Sequence, residues 1–494
     1  YMMGLILRGD PSAAYLALNT LAVPNSTGHW LLAFMLQFVG PFAATKLIAT
    51  FTFAGMTASA GWLRWKTVGS GGVIPSMLIG ATLAFNWMWL AGFYNFSIGV
   101  IVFVFTVGLY YSWRGNVTPV RFVVLASFLV LGYWSHIVSF AMLAGTVSLL
   151  AVFGETSDRR STILRTLPAV IPVLALFFWF RSVAAPAGDS LTPHWRSLSS
   201  ITSPTAWIMQ MLSADPFVII SRKLLPFVDQ GSPFFQLAAP VLWIAVGTAC
   251  LIAASLFVST ERSKGRIVFG AIVAMSLLVA LFAPDDFGLT NGSIIRERIL
   301  LCGLFLTVCL IGVSGRLQAI ARIGIACFAF AFLYQTAALW DYSLSSNNVA
   351  KEFLAAKEHI SDGSTIASVV VARTPSRFSS YPVPQMNAYN GIGRDVRVWD
   401  NYEVGHYLFP VVAASAADRE FVHELIQVNA LSIYNPADLD EKLQRLDRCL
   451  ELNHQKVNVM VVWDADPKVS AVLSKWFEDV PFYSNERLKL LRHR

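Results

Sequence analysis

Residues Val120 to Phe153 read VRFVVLASFLVLGYWSHIVSFAMLAGTVSLLAVF, an apolar run in which Arg121 is the one Lys, Arg, Asp or Glu. At roughly 1.5 Å per helical residue the run is about 50 Å long, against a bilayer hydrocarbon thickness of about 30 Å. One straight span is excluded. The run reads instead as a hairpin of two spans, broken near Gly132 and His136.

Working outward, the same texture recurs in Thr45 to Leu63, Phe93 to Trp113, Leu164 to Phe180, Phe235 to Ser259, Ile267 to Phe282, Ile299 to Val313 and Ile323 to Trp340. Two windows are weaker: Trp30 to Gly40 is short, and Val73 to Leu90 contains Pro75 and Asn86. The composition agrees, with 55% hydrophobic and 14% charged residues and a mean hydropathy of +0.56. A globular domain carries about 25% charged residues, so a soluble chain this poor in charge would lack a wettable surface. The expected class is an α-helical polytopic membrane protein with about ten transmembrane helices over residues 1–340, followed by a soluble α/β domain over 341–494. The chain opens at Tyr1 rather than Met, and the expectation is that a first helix and part of a loop precede it.

The net charge of +7 comes from basic residues in short clusters between apolar runs, which speaks for topology and against a nucleic-acid surface. Arg114 and Arg121 flank one turn, Arg159, Arg160 and Arg165 the next, Arg262, Lys264 and Arg266 a third, and Arg316 and Arg322 a fourth. The alternate loops carry Asp189, Asp215, Asp229, Asp285 and Asp286. Short basic loops stay cytoplasmic, which places the C-terminal domain outside the cytoplasm. The N-terminal quarter fits less well. If Val73–Leu90 spans, Arg64 and Lys66 are cytoplasmic; if it only dips into the outer leaflet, the segment before Trp30 is extracytoplasmic. The charge rule favours the first and the family resemblance given below favours the second, which is preferred. The loops 181–233 and 284–298 are the long extracytoplasmic ones, and the former holds an apolar stretch suited to lying on the membrane surface.

Past Asp341 the pattern becomes that of a soluble domain. Thr365–Ala372 and Val457–Trp463 are short β-branched runs expected as buried strands. Asn435–Pro436 opens a helix whose Leu439, Leu443, Leu446 and Leu450 share one face; Pro467–Phe477 is a second helix, and Arg487–Arg492 a last strand. Of the five cysteines, four lie in apolar runs and Cys449 is alone, so there is no disulfide framework. No phosphate-binding glycine loop, zinc motif or nucleophile elbow is present.

Five segments follow one another in a particular order: VPNSTGHWLLAFMLQFVGPFAATK at Val23–Lys46, GFYNFSIG at Gly92–Gly99, YWSHIVSF at Tyr133–Phe140, PDDFGLTNGSIIRER at Pro284–Arg298 and WDNYEVGHYLFPV at Trp399–Val411. Together they resemble a group of bacterial multispanning proteins placed near the GT-C superfamily of membrane glycosyltransferases, over most of the chain. The resemblance implies a GT-C-like fold in the bacterial cytoplasmic (inner) membrane and transfer of a sugar from a polyprenyl-phosphate donor on the extracytoplasmic side. It also implies a carboxylate in the first extracytoplasmic loop acting as base or metal ligand. Asp10 occupies that region as the catalytic candidate, with a solvated loop carboxylate as one competing reading and an acidic residue upstream of Tyr1 as the other.

Arg296 and Arg298 are suited to gripping a lipid-linked phosphate, because guanidinium forks match phosphate oxygens; interfacial snorkelling or pairing with Glu297 explains them equally well. Asp285 and Asp286 are the candidate ligands for a divalent metal, against a solvated-loop reading. His136, inside an apolar run, either lines the donor cavity or packs as a neutral histidine. Tyr94 and Asn95 fit interfacial anchoring, and His29 carries little weight alone. Asn401, Tyr402, Glu403 and His406, beside Asp400, either contact a sugar or dock the C-terminal domain onto the membrane part. The expected partners are membrane lipid, the lipid-linked sugar donor and, for a non-catalytic GT-C-shaped scaffold, a larger membrane protein complex. Transport is disfavoured, since no inverted repeat or pair of broken helices stands out.

Overall fold

A computed structural model describes residues 1–19, 23–154, 158–184, 193, 217, 240–257, 264–284, 286, 294–311, 318–371, 383–429 and 439–494. Most of the loop 181–233, Asp285, Arg262, Arg316 and the Asn435–Pro436 helix start lie outside these residues. The chain forms two compact units: Tyr1–Thr20, Ala33–Pro41 and Leu339–Arg494 make one, and Leu21–Leu32 with Phe42–Ala338 the other.

The second unit is helical. Its elements are α2 (Thr27–Met35, which continues into the first unit), α3 (Pro41–Val68), α4 (Val73–Ala84), α5 (Trp87–Leu90), α6 (Tyr94–Trp113), α7 (Pro119–Ser135), α8 (Ile137–Phe153), α9 (Arg159–Thr166), α10 (Ile171–Ala184), α11 (Pro240–Phe257), α12 (Lys264–Phe282), α13 (Ile295–Phe305) and the start of α14 (Gln318–Lys357). Three helical stretches, Tyr94–Trp113, Arg159–Ser182 and Gln318–Lys357, are long and apolar enough to cross a membrane. The hairpin expected within Val120–Phe153 breaks at His136, whose backbone is extended (φ −168°, ψ 131°) and whose ring accepts the Val138 N–H at 3.1 Å. One side chain thus ends α7 and caps α8. Val73–Leu90 is interrupted at Asn86, whose side chain accepts the Trp89 N–H at 3.0 Å to start α5. Pro75 sits in the first turn of α4, where its missing N–H costs no intrahelical bond.

The first unit is α/β. Past α14 come β2 (Thr365–Val370), α15 (Val383–Met386), β3 (Arg397–Val398), β4 (Val411–Ala413), α16 (Ala416–Val428), α17 (Leu439–Asn453), β5 (Val459–Trp463), α18 (Pro467–Leu473), β6 (Tyr483–Ser484) and β7 (Leu488–Arg492). The sheet order is β3-β2-β5-β7-β6, with β2 parallel to β3 and β5, and β7 antiparallel to β5 and β6. The period of two puts Ala367, Val369, Met460 and Val462 on one face, against Leu446, Leu450 and Leu473 of the helices. Ile366, Val370, Val461 and Trp463 face the other way, where Trp463 stacks on Phe353 of α14 at 5.2 Å.

The boundary between the units falls at Leu339, beside the expected residue 340 and inside the continuous helix α14. In addition, the first residues belong to the α/β unit: after α1 (Met2–Leu7), β1 (Leu16–Leu18) pairs antiparallel with β4, and Met3, Leu5 and Leu16 enter the same core as Trp399 and Phe421. Asn19 fastens the end of this segment by donating to the carbonyls of Tyr407 (2.8 Å) and Phe409 (3.3 Å). Burying three such side chains contributes about 1.5–3 kcal/mol each, so the segment is an integral layer of the unit.

Candidate functional site

Four segments far apart in sequence meet within the helical unit, all at helix ends. The Asn95 amide, in the first turn of α6, is the hub. Its Oδ1 accepts the Gly28 N–H at 2.6 Å, and its Nδ2 donates to the Asn25 carbonyl at 2.7 Å. That same Nδ2 lies 2.9 Å from His29 Nδ1, which is itself 3.0 Å from the Asn25 carbonyl. Gly28 is required by this approach, since a Cβ there would stand 2.7 Å from Asn95 Oδ1. The chain reaches Gly28 through Asn25 in the left-handed region (φ 66°), a conformation asparagine tolerates. The break between α7 and α8 joins from another side: the Ser26 N–H donates to the Trp134 carbonyl at 2.8 Å, and Ser135 Oγ donates to Thr27 Oγ1 at 3.3 Å.

His136 and Arg298 complete the cluster. The His136 ring meets Phe96 edge-on at 5.1 Å, and the Arg298 guanidinium lies over Phe93 at 5.3 Å and Phe96 at 5.6 Å. His136 Nδ1 accepts the Val138 N–H, so the proton of the neutral ring sits on Nε2 and the ring presents a donor. His136 is 4% and Arg298 8% exposed. Arg298 is delivered by α13, whose first turn follows Ile294 at φ 62°. A β-branched residue is strained in that region, and strain of this kind persists only where surrounding structure enforces it.

Arg296, expected beside Arg298 as a phosphate ligand, is 1% exposed and donates its Nε to the Ala280 carbonyl at 2.7 Å, bracing α13 on α12. Asp286 is described and half-buried, whereas its neighbour Asp285 lies outside the described residues. Among the described residues no three His, Cys, Asp or Glu side chains come together as a metal site would need. Asp10 belongs to the α/β unit and caps the turn Pro11–Ala13, accepting from Ser12 N (3.0 Å) and Oγ (2.7 Å), bonds that hold its carboxyl below the usual carboxylate range.

The Trp399–Val411 motif also lies in the α/β unit. Asn401 caps the turn Tyr402–Gly405 by accepting the Glu403 N–H at 3.0 Å. The Tyr402 ring is 4.5 Å from that of His406, and His423 is 5.8 Å from it. His406 is 4% exposed, and its Nε2 has no hydrogen-bond partner among the described residues. Burial first, then the neighbouring His423, pushes its pKa down to about 4. The same motif packs the first residues of the chain, with Tyr15 edge-on to Trp399 at 5.3 Å. Sequence reasoning did not single out the role of Asp400. Its buried carboxylate accepts from Ser368, from Asn387 at 2.7 Å and from Asn429 at 3.3 Å, joining β2, the end of β3 and the end of α16. Burial raises its pKa while these bonds oppose the rise. No family model, curated protein or solved structure matches the chain.

Proposed function

We propose that this chain is a membrane glycosyltransferase that takes a sugar from a polyprenyl-phosphate donor on the extracytoplasmic side, with the Asn95–His136–Arg298 cluster receiving the donor's phosphate. One observation carries the proposal: the segments that resemble the GT-C group at Val23–Lys46, Gly92–Gly99, Tyr133–Phe140 and Pro284–Arg298 assemble in space around one Arg and two His. A guanidinium and an imidazole N–H are donors suited to phosphate oxygens. The adjoining N-termini of α6, α8 and α13 add positive potential there. The setting is a helical unit with three helices apolar enough to span a bilayer, where an anionic headgroup on a long hydrocarbon is the natural ligand.

The competing reading is a non-catalytic GT-C-shaped scaffold within a larger membrane assembly. It is favoured by the chemistry of the cluster, which is rich in donors: His136 Nδ1 is already used, so the neutral ring has no free lone pair with which to act as a base. Asp10, the expected base, already accepts two hydrogen bonds from Ser12.

Purified protein in lipid nanodiscs, supplied with polyprenyl-phosphate sugars and a glycan acceptor, distinguishes the two. Transfer that falls at least tenfold in Arg298→Ala, by loss of a charged phosphate contact of about 1.5–3 kcal/mol, supports the enzyme. Donor binding without transfer supports the scaffold. Asp10→Asn tests the base directly: unchanged transfer removes Asp10 from the mechanism.

A further inference from the structure

We infer that the described residues of the helical unit cross the membrane ten times, that Val73–Leu90 is one of those crossings, and that residues 23–32 form a re-entrant segment that enters and leaves on one side. The inference rests on the membrane reading but not on glycosyl transfer.

Helix directions are the first ground. α3 and α6 run parallel: Gly55 faces Ile101, and further along both helices Trp62 Nε1 donates to the Phe105 carbonyl at 3.1 Å. Two parallel helices need a return crossing between them, and the intervening chain is α4–α5. That pair runs antiparallel beside α3, with Gly80 against Ala60, Phe85 stacked on Phe53 at 4.6 Å, and Trp89 Nε1 donating to Thr52 Oγ1 at 3.1 Å. Val73 to Leu90 therefore climbs about 27 Å, close to a full hydrocarbon thickness of about 30 Å, and does not merely dip. Three further pairs are antiparallel, α12 and α13 by Arg296 on the Ala280 carbonyl together with the Gly303 contact. Phe105 meets Phe128 and Gly132 faces Val102 between α6 and α7; Gly303 faces Ser276 between α13 and α12; Trp243 meets Phe330 and Gly247 faces Gly324 between α11 and α14.

Parity is the second ground. Because β1 pairs with β4, residues 1–19 and the C-terminal residues belong to one body and share one side of the membrane. The crossings between them must be even in number. Counting α3, α4–α5, α6, α7, α8, α9–α10, α11, α12, α13 with its following turn, and α14 satisfies this, provided α2 does not cross. α2 is too short to do so, its nine residues spanning about 14 Å, and the chain rejoins the first unit at Ala33–Pro41. Irregular backbone at membrane depth has to be satisfied by protein, and the Asn95 amide and the Trp134 carbonyl do this for 25–28.

Charge is the third ground. In this arrangement Arg64, Lys66, Arg114, Arg121, Arg159, Arg160, Arg165 and Arg322 fall on one face with Asp158, while Asp286 and Asp341 fall on the other with Lys46, Arg181, Arg296 and Arg298, an eight-to-four basic bias. The conflict in the sequence reading disappears. It arose from counting Trp30–Gly40 as a span and letting Val73–Leu90 dip, the reverse of what the packing indicates.

Single cysteines at Gly40, Gly71, Gly115 and Ser484, labelled with a membrane-impermeant maleimide, test this. The four buried cysteines and half-buried Cys250 of the unsubstituted chain provide the blank. In intact cells Gly40→Cys and Ser484→Cys are expected to label, while Gly71→Cys and Gly115→Cys lose nearly all label until the membrane is permeabilised. Labelling of Gly71→Cys from the same side as Ser484→Cys, or of Gly40→Cys from the opposite side, overturns the inference. As a second measurement, Ala17→Cys with Val412→Cys, partners in the β1–β4 register, should form a disulfide on oxidation. Failure of that pair to cross-link removes the parity argument. Neither measurement depends on activity, so a chain that labels as expected yet transfers no sugar overturns only the proposed function.

Discussion

Two buried polar clusters, one in each unit, are built in different ways. In the α/β unit the buried carboxylate of Asp400 has three side-chain donors and sits between strands and loops, holding β2, β3 and α16 together. In the helical unit the groups around Asn95 gather at helix ends and breaks, and two of the donors there, His136 and Arg298, lie against aromatic rings. Hydrogen bonds within the protein that fully satisfy a buried group stabilise a fold. A guanidinium and an imidazole N–H held against ring faces are donors of the kind that suit a phosphate.

The largest effect expected from breaking this contrast is at Asp400. Asp400→Ala strips an acceptor from two buried donors and the half-buried Asn429, and should destabilise the α/β unit by roughly 3–5 kcal/mol, read as a lower midpoint in chemical denaturation. A near-neutral result would mean that the network does not hold the strands. Next comes pH. His406 titrates near 6.5 when unfolded and near 4 when folded, so its contribution is complete above the unfolded value and is lost as pH falls from 6.5 through 4. The full swing is roughly 3 kcal/mol, and His406→Asn should flatten the acid limb of the stability profile across that window.

In the helical unit, Asn95→Ala removes three hydrogen bonds. Bonds between membrane helices average about 0.6 kcal/mol, so a loss of roughly 2 kcal/mol is expected as a fall of a few degrees in the melting temperature in detergent. Gly28→Ala displaces the same amide, so the double variant should be no worse than the more severe single one; simple additivity would show that Gly28 and Asn95 are independent. The smallest effect is at Asp10, a half-buried cap of one short turn. Asp10→Asn retains an oxygen for Ser12 and should leave the melting temperature unchanged.

The coarse division was legible in the sequence because it depends on solvent. Apolar run length separates a helical unit, three of whose helical stretches are long and apolar enough to cross a membrane, from a domain with a two-residue strand period, and the paired runs at Thr365 and Val457 became adjacent parallel strands. His136 was visible as an ionisable residue in an apolar run, and it is the hairpin break. The contribution of the first residues was not legible. β1 is three residues long, and its partner lies almost 400 positions away, beyond the reach of any local pattern. Asn95 likewise gave only an anchoring signal, because its role comes from a close approach to Gly28 that no spacing encodes. Asp10 and Asp400 show the limit from both sides: the position of a carboxylate in sequence says nothing about how many donors surround it.

The most direct measurement is binding of a polyprenyl phosphate to the protein in nanodiscs, followed by native mass spectrometry for the unsubstituted chain, Arg298→Ala and Arg121→Ala. Arg121 provides the control, since its guanidinium donates to the Asn116 carbonyl and lies over Trp113 at the other end of the helices. A bound lipid phosphate that is lost in Arg298→Ala and kept in Arg121→Ala is the predicted result. Equal occupancy in both variants, or none in the unsubstituted chain, contradicts a phosphate site at the Asn95–His136–Arg298 cluster.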